Sequence, residues 1–142
     1  MEGMDAFADH PARAVAVASM AAVEAGDRDA WLALFTEDAI VQDPIGPSPF
    51  DPDGTGHRGA EAIAAFYDDV IANGVVSFDI RESYAAGDEC ANVGTITTAF
   101  PDGSRAVVEG VYTYVTDGDG HLRALRAYWE FDKIRMLPAA KR

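Results

Sequence analysis

The sequence predicts an α+β fold with its helices first and an antiparallel sheet after them. Three observations point there. Segments with apolar residues spaced three and four apart lie before Asn73. Four long segments rich in Val, Ile, Thr and aromatics, with a period near two, follow it. The breaks between those four are short turns, Ala85-Ala86-Gly87-Asp88, Pro101-Asp102-Gly103 and Asp117-Gly118-Asp119-Gly120, which favour antiparallel neighbours. Helices segregated from antiparallel strands define the class.

Asp9 and Pro11 make a helix start, because proline is tolerated in the first turn. The Ala-rich run from Ala12 to Ala25 continues it, with Val15, Val17, Met20 and Val23 as apolar positions, and Gly26 is placed to end it. Asp27 caps a second helix, Arg28 to Thr36, whose Trp31, Leu34 and Phe35 face a core. Ala39 to Asp43 reads as a short strand. Pro44 to Gly59 carries four prolines and four glycines, so no regular element is expected in it. A loop of that length beside a candidate site suits a rim or lid. Ala60 to Asn73 is the clearest helix, with Ile63, Phe66, Tyr67, Val70 and Ile71 on one face. The strand segments are Val75 to Tyr84, Cys90 to Phe100, Arg105 to Thr116 and His121 to Phe131. All 142 residues form one domain, with ends expected to fray over about 1–8 and 137–142.

The balance of 24 acidic to 11 basic residues gives a net charge of −13. Such a surface repels phosphate backbones and anionic lipid, so neither nucleic acid nor membrane is an expected partner. The lone Cys90 cannot form an internal disulfide, and the N-terminal residues lack a signal-peptide pattern, so a cytoplasmic location is expected. His10, His57 and His121 are scattered without ligand-like spacing, so no metal site is expected.

The candidate site begins at Val41-Gln42-Asp43-Pro44-Ile45-Gly46. Pro44 restricts the residue before it and Gly46 lets the chain turn, so a stiff corner aims the Asp43 carboxylate. That suits a general base, which must sit within hydrogen-bond reach of its proton. An Asp-Pro turn opener is the bland alternative.

Several segments carry a resemblance when taken together. They are Ala25-Gly26-Asp27, Trp31 to Asp38, Asp43-Pro44-Ile45-Gly46, Gly59 to Tyr67 and Ala127-Tyr128-Trp129. The chain resembles the ketosteroid isomerase-like branch of the nuclear transport factor 2-like (NTF2-like) superfamily, which includes SnoaL-like polyketide cyclases. The resemblance implies a cone, with a strongly curved, mainly antiparallel sheet and three helices around an apolar pocket. It also implies a homodimer, a hydrophobic steroid-like ligand and no cofactor. In those isomerases an Asp at the position of Asp43 shuttles a proton between two carbons of an unsaturated ketosteroid. A Tyr and a protonated Asp hold the enolate; this pair of carboxyl roles is a standard example of pKa tuning.

Carried over by residue, Asp43 matches the base and Trp129 an aromatic lining the pocket. Tyr67 matches a Tyr supporting the oxyanion Tyr, and Phe35 stands where a further supporting Tyr is usual. The oxyanion Tyr position falls on Ser19, which is too short to reach and suits a bridging water. The protonated-Asp position falls on Tyr112, whose neutral phenol is a donor at pH 7. Tyr112 shares a strand face with Gly110 and Tyr114, and Gly110 would leave room for a flat ligand there. The expected site is thus Asp43 and Tyr112 for chemistry, with Ser19, Phe35, Phe66, Tyr67, Tyr114 and Trp129 around the ligand. The alternatives are a steroid-binding protein without catalysis, a SnoaL-like cyclase, and an epoxide hydrolase in which Arg126 would partner Asp43. Asp51 and Asp53 read as solvated turn formers.

Overall fold

The computed structural model describes residues 10–139. Helix α1 spans Pro11–Ala25 and α2 spans Arg28–Leu32. Strand β1 (Phe35–Gln42) and the two-residue β2 (His57–Arg58) precede helix α3 (Ala60–Asp69) and a 3-10 turn, Ile71–Asn73. Strands β3 (Val75–Ala86), β4 (Glu89–Ala99), β5 (Arg105–Thr116) and β6 (Leu122–Tyr128) follow. A 3-10 turn at Phe131–Lys133 leads into β7, Arg135–Leu137.

The sheet runs β2-β1-β6-β5-β4-β3, with β7 added to β5. The four strands of the meander pair antiparallel, as their short turns require. The β1–β6 pair is parallel, which makes the sheet mixed and leaves it unclosed. Strand β5 pairs with β6 over Val111 to Thr116 and with β7 over Arg105 to Val107, so among the described residues its middle has no partner on that edge.

Strands β4 and β5 both carry glycine at one cross-strand pair, Gly94 and Gly110. A Cβ at Gly94 would collide with the Asp79 carbonyl oxygen, and one at Gly110 with the Tyr128 carbonyl oxygen. Only glycine lets the flanking backbone fold this far inward. Gly110 therefore admits the Tyr128–Trp129 backbone, not the flat ligand the sequence suggested.

Helix α1 lies against the concave side. Its small buried residues, Ala12, Ala16 and Ala22, permit close approach, and Val15 and Val23 fill the remaining space. Polar ties fix α1 to edge strand β3: Arg13 Nε donates to Ser83 Oγ at 2.9 Å, Arg13 Nη2 donates to Ser83 O at 3.3 Å, and Phe78 N–H donates to Glu24 Oε2 at 2.9 Å. The core centres on Trp31, which meets Phe35 edge-on at 4.7 Å and Tyr67 at 5.5 Å.

Most element boundaries match the sequence, and the departures have physical causes. Asp9 lies outside the described residues; His10 Nδ1 accepts the Ala12 N–H at 3.2 Å instead. Gly26 takes the left-handed conformation, φ 67°, and Asp27 Oδ1 caps Ala30 N–H at 3.1 Å, both as expected. Helix α2 stops at Leu32 rather than Thr36 because Leu34 O accepts Leu122 N–H at 2.7 Å, drawing Phe35 into the sheet. Helix α3 gives way after Asp69, whose carbonyl accepts from Asn73 Nδ2 at 2.7 Å. The 44–59 loop holds strand β2, paired with Ile40 and Val41. Leu137, expected to fray, is paired with Arg105; residues 140–142 lie outside the described range.

Candidate active site

Strand β1 carries the chain to Gln42, and the Asp43–Pro44 peptide, which is cis, turns it away from the sheet. Ile45 N–H donates to Ala127 O at 3.0 Å, so the corner is anchored to the end of β6. Strand β6 delivers Trp129 to the same place, and its indole Nε1–H donates to Asp43 Oδ1 at 2.6 Å. A parallel strand pair thus fixes both partners of this bond.

Asp43 and Trp129 stand in the wall of a cavity of about 260 Å³. Strand β4 contributes Ile96 and Thr98 to it, and β5 contributes Ala106 and Val108. Phe50, from the long loop, lines it as well, with Val70, Phe100 and Ile134. Asp43, Asn73 and Thr98 supply the polar side chains of an otherwise apolar lining. An aromatic chain links two of the lining residues: Trp129 stacks with Phe131 at 6.2 Å, and Phe131 meets Phe50 edge-on at 5.4 Å.

The loop is less open than its composition suggested. Asp51 is buried, not solvated; its carboxylate accepts Gly56 N–H at 2.8 Å and its backbone bridges to Ser48. Asp53 is exposed.

The surroundings set the chemistry of Asp43. The side chain is partly buried. Loss of bulk water pushes its carboxyl above the usual carboxylate range, and the Trp129 hydrogen bond pulls part of the way back. Tyr112 and Tyr114 are both buried on the concave face of β5. Burial raises both phenols and the nearby Asp43 charge raises them further, so each stays protonated at neutral pH.

The structure brings some of the expected site residues together and separates others. Asp43 and Trp129 share the cavity. Tyr112 lies beside it, and its hydroxyl donates to Val108 O at 3.0 Å. Ser19 is deep under α1 and accepts the Trp31 Nε1–H at 3.1 Å, so its hydroxyl serves packing. Phe35 lines a separate dent with Leu32 and Ile63. Phe66 tilts against His57 at 4.8 Å, outside the cavity lining. Tyr67 packs on Trp31. Arg126 Nε donates to Gln42 Oε1 at 2.7 Å, not to Asp43, which removes the arginine from the epoxide-hydrolase arrangement. The lining residues of β4 and β5 carried a usable signal. Val108 and Ala106 share strand parity with Tyr112, and Ile96 and Thr98 are their cross-strand partners.

A curved, unclosed mixed sheet backed by three helices is the architecture of the NTF2-like fold. The SnoaL-like domain family matches residues 16–130, and the chain belongs to that family. It is 30% identical over 118 residues to a steroid Δ-isomerase of Nocardioides simplex, covering 83% of this chain and 89% of the relative. Among solved structures, the Δ5-3-ketosteroid isomerase from Mycobacterium sp. is 39% identical with a TM-score of 0.84, covering 89% of this chain and 98% of that one. A Mycobacterium tuberculosis protein solved in complex with estradiol-17β-hemisuccinate is 35% identical with a TM-score of 0.82, covering 88% and 98% of the two chains.

Proposed function

We propose that the chain is a steroid Δ-isomerase-like enzyme that moves a proton between two carbons of an unsaturated ketone. The observation that carries this reading is the partly buried Asp43, set in an apolar wall with its carboxyl raised and one oxygen held by Trp129. A base works best when its pKa approaches the working pH. Asp43 takes the proton from the carbon between the carbonyl and the alkene. The electrons delocalise onto the carbonyl oxygen, giving an enolate. Asp43 then returns the proton at the far end of the conjugated system. Tyr112 is the proposed donor to the enolate oxygen, exchanging its bond to Val108 O for one to the ligand. The apolar lining, Phe50 included, takes the flat hydrocarbon.

A second reading follows from the same bond. If Tyr112 keeps Val108 O, the cavity binds a steroid without turning it over. The assay that separates the two is conversion of 5-androstene-3,17-dione to its conjugated isomer, followed by ultraviolet absorbance. Turnover above the rate in buffer supports the enzyme. Binding of estradiol without turnover supports the binding protein, and absence of both removes both readings.

The proposed partner in solution is a second copy of the chain. Tyr84 and Tyr128 are 62% and 54% exposed on the face of the sheet that turns away from the helices. Tyr84→Arg should shift the mass measured by light scattering from dimer to monomer. A monomeric native chain would end the idea.

A further inference from the structure

The reaction proposed above needs hydrogen-bond donors at the enolate oxygen, and most of the buried donors nearby are already committed. The Tyr112 hydroxyl donates to Val108 O, and the Trp31 indole donates to Ser19. One donor is different. Asn92 is 1% exposed, and its side-chain Nδ2 is the buried polar atom without a hydrogen-bond partner among the described residues. The other end of the amide meets a partner, Asn92 Oδ1 accepting from Cys90 Sγ at 3.4 Å. A buried amide N–H left unpaired costs about 1–3 kcal/mol, so its persistence calls for a reason.

The strand register says where it sits. Strands β4 and β5 pair without interruption from Glu89–Val115 to Ala99–Arg105. Alternation therefore puts Asn92, Gly94, Ile96 and Thr98 on one face of β4. Ile96 and Thr98 line the cavity, as does Val108 opposite Ile96. The Gly94–Gly110 pair comes next, and Asn92 directly opposite Tyr112 comes after it. Asn92 is thus one pair beyond the glycines, roughly 7 Å further along the strand. Its cross-strand partner Tyr112 reaches its hydroxyl back along β5 to Val108 O, towards the cavity.

We propose that Asn92 is a second oxyanion donor, its Nδ2–H meeting the ligand oxygen beside the Tyr112 hydroxyl. This rests on the isomerase reading and names a residue that reading does not use. The occupant it specifies is a ketone, enolate or phenol oxygen entering first, with the hydrocarbon trailing towards Phe50 and Thr98. A neutral amide suits this position, because it donates without adding a charge that must be desolvated.

The test has two arms. In the first, the Asn92 side-chain amide of the native chain is followed by proton–nitrogen NMR while estradiol is added. A downfield move of one Nδ2 proton on binding is the expected result. An unmoved resonance with estradiol bound, or estradiol that does not bind, overturns the proposal. In the second, Asn92→Leu is assayed on 5-androstene-3,17-dione. Loss of one donor should lower kcat by about 10²–10³-fold, with a much smaller change in KM. If Asn92→Leu turns over like the native chain while Asp43→Asn does not, Asn92 is no donor and the isomerase reading stands. If the native chain has no turnover, that reading fails, and the NMR arm alone decides the role of Asn92 without a variant that must fold.

Discussion

Replacing Asp43 with Asn removes a charge and almost nothing else. The two side chains have the same shape, and the Asn carbonyl can still accept the Trp129 Nε1–H that lies 2.6 Å from Asp43 Oδ1. The lost function is proton transfer. A positioned general base contributes about 10²–10⁴-fold, so kcat/KM for 5-androstene-3,17-dione should fall by that factor. In barrier height this is about 3–5 kcal/mol. Stability should move the other way. Burial raises the Asp43 carboxyl in the folded chain, so the ionised form is disfavoured relative to the unfolded chain. That penalty is absent below the unfolded pKa of about 3.9 and fully present above the raised folded value. Asp43→Asn removes it. The variant should therefore melt higher than the native chain at neutral pH, and the gap should close as pH falls towards 4. Ultraviolet progress curves and thermal melts across pH read both effects. A variant that keeps the rate within about tenfold of native would refute the base assignment. A variant that melts lower at neutral pH would refute the account of its surroundings.

Three further outcomes follow from the same geometry. Trp129→Phe removes a bond that favours ionised Asp43, so the acid limb of the kcat/KM profile should move to higher pH; an unmoved limb would mean that the bond does not tune the base. Tyr112→Phe leaves Val108 O without its donor, so chemical denaturation should show a loss of about 1 kcal/mol. The same variant should lose about 10²–10³ in kcat if Tyr112 meets the enolate. Ser19→Ala strands the buried Trp31 N–H and should cost about 1–3 kcal/mol in urea melts; calorimetry with estradiol should show no matching loss of affinity.

The long, periodic elements were legible in the sequence because local pattern and tertiary packing agree there. The Arg105 to Thr116 strand and the Gly26 and Asp27 caps stand where they were expected. Elements decided by distant partners were not legible. Phe35 looked helical beside Trp31, yet Leu122, far along the chain, claims it for the sheet. Strand β2 is two residues held by β1, and β7 is three held by β5, so neither carries a period of its own. In the site, the Asp43 corner was visible because proline and glycine mark it. The Trp31–Ser19 bond was not, because nothing in the residue order says that an indole will reach a serine one helix away. Asn92 gave no signal either: a polar residue in a strand reads as solvent-facing until the sheet curls over it.

The aromatic chain from Phe50 through Phe131 to Trp129 gives the protein a built-in optical reporter. Its two tryptophans occupy opposite settings, Trp31 sealed among the helices and Trp129 in the wall of the hollow. With Trp31 replaced by Phe, all indole emission would originate beside the carboxylate. Its colour and quenching would then register each arrival of a guest, and each change of charge on Asp43, with no label attached.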